Sequence, residues 1–201
     1  MKNPAYARGP RGFTLIELLV VLSLMLVLIA LGIPALQTAL HQSKIRGIAQ
    51  EVTVLVRQAR LDAVKTSAQA VVQIVPSTGA GDPGHVLAFS DRDSDGRLGA
   101  AEPVLGNFPL PTGVMFEDCK KNTDKNSVDG LSADPNGGPN MLIFQRDGSV
   151  PDIGGFRFDD PYDNCMEIHV EPAATARIEV RKWNGTAYVP SGDNGKAWTW
   201  N

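Results

Sequence analysis

The chain has 201 residues, 43% of them hydrophobic and 20% charged, with a formal net charge of -3. That leaves room for one membrane-length segment and one ordinary domain with a real core, and it argues against wholesale binding to nucleic acid. His41, His85 and His169 have no metal-ligand spacing, and the chain has no nucleophile elbow or phosphate-binding loop, so no enzyme is read here.

Residues 1–12 form a leader with Lys2, Arg8 and Arg11 and no acid. An apolar run follows from Phe13 to Leu36, and between Leu18 and Ile33 its only polar side chain is Ser23. As a helix it would be about 36 Å long, enough to cross a bilayer core of about 30 Å. Glu17 breaks the apolar pattern near the start, where an ionised group is costly unless paired. A secretory signal ending at Ala30-Leu31-Gly32, or a plain anchor, would explain the apolar run. Neither explains a Gly12-Phe13 junction followed four residues later by an acid.

Gly12-Phe13-Thr14-Leu15-Ile16-Glu17-Leu18-Leu19-Val20-Val21 resembles the class III signal of type IV pilins and type II secretion pseudopilins. The resemblance implies cleavage between Gly12 and Phe13 by a prepilin peptidase and methylation of Phe13. It further implies pairing of Glu17 with the amino terminus of a neighbouring subunit, and a helix kink at Pro34. Losing the leader would leave 16 basic against 22 acidic residues, a net charge of -6. The basic leader also sets orientation: anchored in the inner membrane, with the bulk of the chain outside the cytoplasm. An external compartment permits a Cys119–Cys165 disulfide; two buried thiols are the alternative.

Residues 37–67 carry the helix onward. Ile45, Ile48, Val52, Leu55 and Ala59 recur at three- and four-residue steps and form one apolar stripe. From residue 68 the pattern turns to strands at 70–75, 85–89, 114–116, 141–144, 166–171 and 177–181, separated by Gly, Asn, Asp and Pro clusters. The last two strands alternate cleanly, so each is expected to have one face on the core and one in water. Asp159–Asn164 reads as a tight turn, and 117–140 as a long polar loop held by Cys119.

The predicted fold class is α+β: a long N-terminal helix, partly transmembrane, packed on an antiparallel β domain over 68–201. Phe144-Gln145-Arg146-Asp147-Gly148 looks like the Phe-x-x-x-Gly strand and turn of the GspH/FimT minor pseudopilins. Membership there implies a structural filament subunit, with other pilins, the prepilin peptidase and inner-membrane lipid as partners. The other functional reading is a tip pilin that binds DNA in natural transformation. Arg177, Arg181, Lys182 and Trp183 are its candidate contacts, because cations interleaved with aromatics suit phosphates and bases. No Gly-Arg-x-Arg pattern supports it, and Glu179 and Asp193 dilute the charge.

The twelve residues Asp91 to Glu102 place acids at positions 1, 3 and 5, Gly96 at 6 and Glu102 at 12. That spacing matches a calcium loop, in which Asp91, Asp93, Asp95, the Arg97 carbonyl and Glu102 would supply hard oxygens. A turn rich in Asp and Gly, held by Asx hydrogen bonds, is the alternative.

Overall fold

The computed structural model describes residues 13–77, 84–116, 119, 128, 129 and 141–190. The expected leader, most of the 117–140 loop and the stretch after Pro190 lie outside them. The chain divides into two compact units, Met1–Leu40 and His41–Asn201.

One helix, α1 (Leu15–Thr66), runs from the first unit into the second and continues through Pro34. In the first unit it is apolar on every side, as a membrane-length segment is. In the second unit it is amphipathic. The predicted stripe of Ile45, Ile48, Val52, Leu55 and Ala59 is buried, joined by Ala49, Thr53, Val56 and Ala63. Small residues recur along that face and let the helix approach the sheets closely.

Among the described residues nine strands follow: β1 (Gln69–Val75), β2 (His85–Asp91), β3 (Val104–Pro109), β4 (Val128–Asp129), β5 (Met141–Phe144), β6 (Gly154–Phe158), β7 (Met166–Glu171), β8 (Arg177–Trp183) and β9 (Tyr188–Pro190). They form two antiparallel sheets, β3-β2-β1-β5 and β4-β6-β7-β8-β9. Strand alternation sends Val72, Ile74, Val86, Leu142 and Phe144 of the first sheet into one core with the helix stripe. Phe156, Phe158, Met166, Ile168 and Val170 of the second sheet join the same core. The turn after β5 is the expected strand-and-turn feature. Gly148 there has φ +79°, and a Cβ on it would come within 2.8 Å of Val64 on α1. Glycine alone meets both demands, and Arg60 Nε donates to the Gly148 carbonyl at 3.1 Å.

Two expectations are corrected. Val114–Phe116 is no strand: Met115 makes a single bridge to Asp159, between turns. And β7 does not have one wet face. Its residues Met166 to Val170 are all buried, because Glu167 and His169 point into a layer of charged side chains from β6 and β8 rather than into water. β6 and β9 escaped the sequence reading because Gly154-Gly155 and a three-residue edge strand carry no periodic signal.

Cys119 and Cys165 form a disulfide, as the compartment argument expected. It ties the segment after Phe116 to the start of β7. Asp160 holds the neighbouring turn, accepting from the amides of Tyr162 and Asn164 at 2.9 Å each. That is the tight turn predicted for 159–164.

Candidate functional site

The first site is the start of α1. Thr14 precedes the helix, and its hydroxyl accepts the Glu17 amide at 3.2 Å, while its carbonyl accepts the Leu18 amide at 3.2 Å. Thr14 is therefore the N-cap and Glu17 the third helical residue. Thr-x-x-Glu is the capping-box sequence, a local signal the sequence reading passed over. A carboxylate in the first turn also meets the positive end of the helix dipole. Glu17 so has a structural reason to begin the helix, independent of any partner. Phe13 is exposed before it, and Gly12 lies outside the described residues. Behind Glu17, from Leu18 to Leu36, the large apolar side chains are all exposed. Pro34 has no N–H and breaks the hydrogen-bond ladder there, while the Thr38 hydroxyl donates to the Pro34 carbonyl at 3.1 Å.

The second site is the loop between β2 and β3. β2 ends on Asp91, so the first acid is anchored by the sheet and buried. Asp91 accepts three amides: Ser94 at 2.7 Å and Asp95 at 3.2 Å on Oδ1, and Gly96 at 2.9 Å on Oδ2. Gly96 takes φ +75°, which lets the chain curl round that carboxylate. Carboxylate oxygens of Asp91, Asp93 and Asp95 lie within 4.8 Å of one another. Glu102 is placed differently. Its Oε1 accepts the Arg92 amide and its Oε2 the Gly99 amide, each at 2.7 Å. The loop thus brings three of the four predicted acids together, and turns the fourth onto its own backbone. Burial pushes the Asp91 carboxyl up, the charge of Glu102 adds to that, and the three amides oppose it. The hard-oxygen donors fit a cation of the calcium class in kind, with Glu102 engaged elsewhere.

Comparison with known proteins places the first site in context. The prokaryotic N-terminal methylation motif matches residues 8–33, which span Gly12, Phe13 and Glu17. The N-terminus thus carries a prepilin-type methylation motif, and it leads into a helix long and apolar enough to cross a membrane. No curated protein matches the sequence. Among solved structures the chain is similar to the type IV minor pilin FimU of Pseudomonas aeruginosa, at 11% identity and a TM-score of 0.43, covering 74% of this chain and 95% of that one.

The residues of the DNA reading lie on β8, and the partners of its arginines are the chain's own acids. Across β7 and β8 the register sets Glu167 opposite Arg181, and Glu171 opposite Arg177. Arg181 pairs with Glu171 and Glu179, and Arg177 with Glu179. Lys182 points to the opposite face of the strand, where burial and the charge of Arg46 hold its ammonium below the usual lysine range. Trp183 packs against Tyr188 in a tilted ring contact, with centroids 5.1 Å apart and ring planes 60° apart.

The charged layer itself was not anticipated. Glu167, 1% exposed, sits 3.1 Å from Arg157 Nε and 3.5 Å from His169 Nδ1. The latter separation is too long for a good hydrogen bond, so that contact is chiefly electrostatic. Burial alone would push the Glu167 carboxyl up. His169 and Arg157 together outweigh burial and hold it below the usual carboxylate range. The alternation of Glu167, His169 and Glu171 was visible in the sequence, but only the register reveals that β6 and β8 answer it with arginines.

Proposed function

We propose that the protein is a minor pilin or pseudopilin of the GspH/FimT kind, serving a type II secretion pseudopilus or a type IV pilus. Residues 13–36 hold it in the inner membrane, with the β unit outside the cytoplasm because the basic leader stays within. A prepilin peptidase cuts after Gly12 and the new amino group of Phe13 is methylated. Glu17 then pairs with the amino terminus of a neighbouring subunit, and Pro34 gives the helix the freedom to bend as it leaves lipid for the filament. The observation that carries the reading is a methylation motif running straight into a helix segment, Leu18 to Leu36, whose large apolar side chains are exposed among the described residues. Such a surface needs lipid, other subunits, or both in turn. Intact mass of the protein recovered from membranes tests it. A chain starting at methylated Phe13 is expected; a start at Ile33 would make this a secreted domain and end the proposal.

The loop at 91–102 adds a structural role for calcium. Asp91, Asp93 and Asp95 would hold the ion, and Glu102 would join by giving up its amide bonds to Arg92 and Gly99. An ion bound only by the folded loop would stabilise the fold by mass action. DNA binding through β8 is the weaker reading, because Arg177 and Arg181 are already paired with Glu171 and Glu179. A salt-dependent shift assay with no binding at low salt would remove it.

A further inference from the structure

The last turns of α1 leave part of their surface open. Leu61 is 70% exposed and Val64 50%, and they form the apolar floor of a groove of about 760 Å³ between α1 and the start of β8. Arg57, Arg60, Lys65 and Arg177 line the same groove. Arg177 is answered by Glu179, and Arg60 Nε donates to the Gly148 carbonyl at 3.1 Å. Among the described residues Arg57 and Lys65 have no carboxylate partner. An apolar floor under a cationic rim suits an occupant that brings an apolar side chain together with carboxylates.

The chain itself carries such a surface. The loop between β2 and β3 exposes Leu98 at 42%, and Asp93 and Asp95 are exposed in the same loop. Their carboxylates converge with that of Asp91 to within 4.8 Å, which concentrates the negative charge. Each holds one backbone amide, that of Asp95 at 3.3 Å and that of Arg97 at 2.7 Å, and neither has a cationic partner among the described residues. Four acids against Arg92 and Arg97 leave residues 91–102 a net charge of -2.

The two patches also sit where neighbours can use them. The loop leaves β2 at Asp91, which pairs with Gln69 just past the end of α1, so loop and groove lie at the same end of the unit. In the first sheet, ordered β3-β2-β1-β5, the loop springs from the β3 side, whereas Arg60 reaches the turn after β5 at the other edge. Complementary patches on different sides of one molecule make a heterologous contact, which repeats from copy to copy.

We propose that the groove between α1 and β8 receives the β2–β3 loop of a second copy of this chain, with Leu98 on Leu61 and Val64, and Asp93 and Asp95 against Arg57 and Lys65. Groove on groove would bring like charges together, so a symmetric pairing is disfavoured. The proposal rests on the filament reading only for the presence of neighbours, and the mass of the membrane-bound chain tests that reading separately.

The test uses full chains in detergent with chelator, so that the loop keeps its charge. The native cysteines are joined to each other, so new thiols report alone. Chains carrying Leu61→Cys and chains carrying Leu98→Cys are mixed under mild oxidation. The mixed disulfide is expected to form at least about fivefold faster than either homodimer, the scale set by a few exposed ion pairs. Sharing a micelle would speed all three alike. Adding Arg57→Glu and Lys65→Glu to the groove chain is expected to erase the preference. Asp93→Lys with Asp95→Lys in the loop chain is expected to restore it, with melting temperatures confirming that each variant is folded. Equal rates for all three disulfides would overturn the proposal. So would a preference that survives the groove reversal, or one that the loop reversal does not restore, since the groove would then take some other occupant.

Discussion

The two halves of α1 make opposite use of apolar residues. In the unit Met1–Leu40 the helix is apolar all round and its large side chains are exposed. In the unit His41–Asn201 the apolar residues narrow to a stripe, and Ile45, Val52 and Val56 are buried against the sheets. The same secondary structure is committed inward in one half and uncommitted in the other. Stability of the fold is therefore expected to reside in the second half, and assembly in the first.

The sharpest way to break that division is a buried charge. Val56 is fully buried, so Val56→Asp is expected to remove most of the stability of the β unit, since an unpaired carboxylate there costs several kcal/mol on top of the lost packing. Thermal melting of the full chain in detergent would show no cooperative transition, while membrane extraction would show the helix still inserted. The reciprocal change is Glu17→Leu. It is expected to leave melting and insertion unaltered and to cut incorporation into filaments more than about a hundredfold, as loss of one partner of a buried pair costs about 3–5 kcal/mol. Wild-type incorporation of Glu17→Leu would reduce the Glu17 carboxylate to a favourable charge in the first turn of α1.

Within the β unit the disulfide ranks next. Cys119 and Cys165 are 46 residues apart, a loop whose closure is worth about 4 kcal/mol on the chain-entropy estimate. Replacing both by serine is expected to lower the melting temperature by about 8–16 °C. A shift within error would show that the segment it ties down adds little to the fold.

The charged layer is expected to respond to pH. The folded Glu167 carboxyl lies below its ordinary value of 4.5, so its contribution is fully present above that value and is lost as pH falls through the folded one. Glu167→Gln is expected to cost about 2–3 kcal/mol at pH 7, the worth of hydrogen bonds to a charged group. The gap between variant and wild type should narrow as pH falls below 4.5 and through the lowered folded value. A gap independent of pH would mean that packing, not charge, holds the layer.

How far each region could be read from the sequence follows from what kind of contact makes it. The helix stripe and the strands β1, β2, β5, β7 and β8 rest on local periodicity, so their existence was legible. The Asp159–Asn164 turn and the acidic loop rest on short spacings and were legible too. The charged layer depends on which strands neighbour β7, and a single sequence does not specify pairing. Hence Glu167 and His169 looked like a wet face and are buried. Glu102 shows the same limit within one loop. Its spacing suits a cation, but the amides of Arg92 and Gly99 compete for the same two oxygens, and only coordinates reveal that competition.

The smallest expected effect tests that competition. If calcium draws Glu102 from those amides, the gain is the ion's affinity less two charge-assisted hydrogen bonds. A weak site of about 10⁻⁴–10⁻³ M, as extracellular loops have, would at 1 mM ion stabilise the unit by roughly 1 kcal/mol. That corresponds to a rise in melting temperature of about 2–4 °C, reversed by chelator. Asp95→Asn should abolish the rise without changing the melt in chelator much, because Asp95 is exposed and holds only the Arg97 amide at 2.7 Å. The pH dependence follows from Asp91. Its carboxyl is raised by burial, so in the fold the ionised form is penalised at neutral pH and that penalty fades on acidification. Calcium needs the ionised form, so the rise should shrink on acidification as Asp91, its carboxyl pushed up by burial, takes up its proton. Magnesium, which loses its water reluctantly, should give a smaller rise at equal concentration. No rise with either ion at pH 7 would mean that the backbone amides win, and that the loop is a turn held by its own carboxylates.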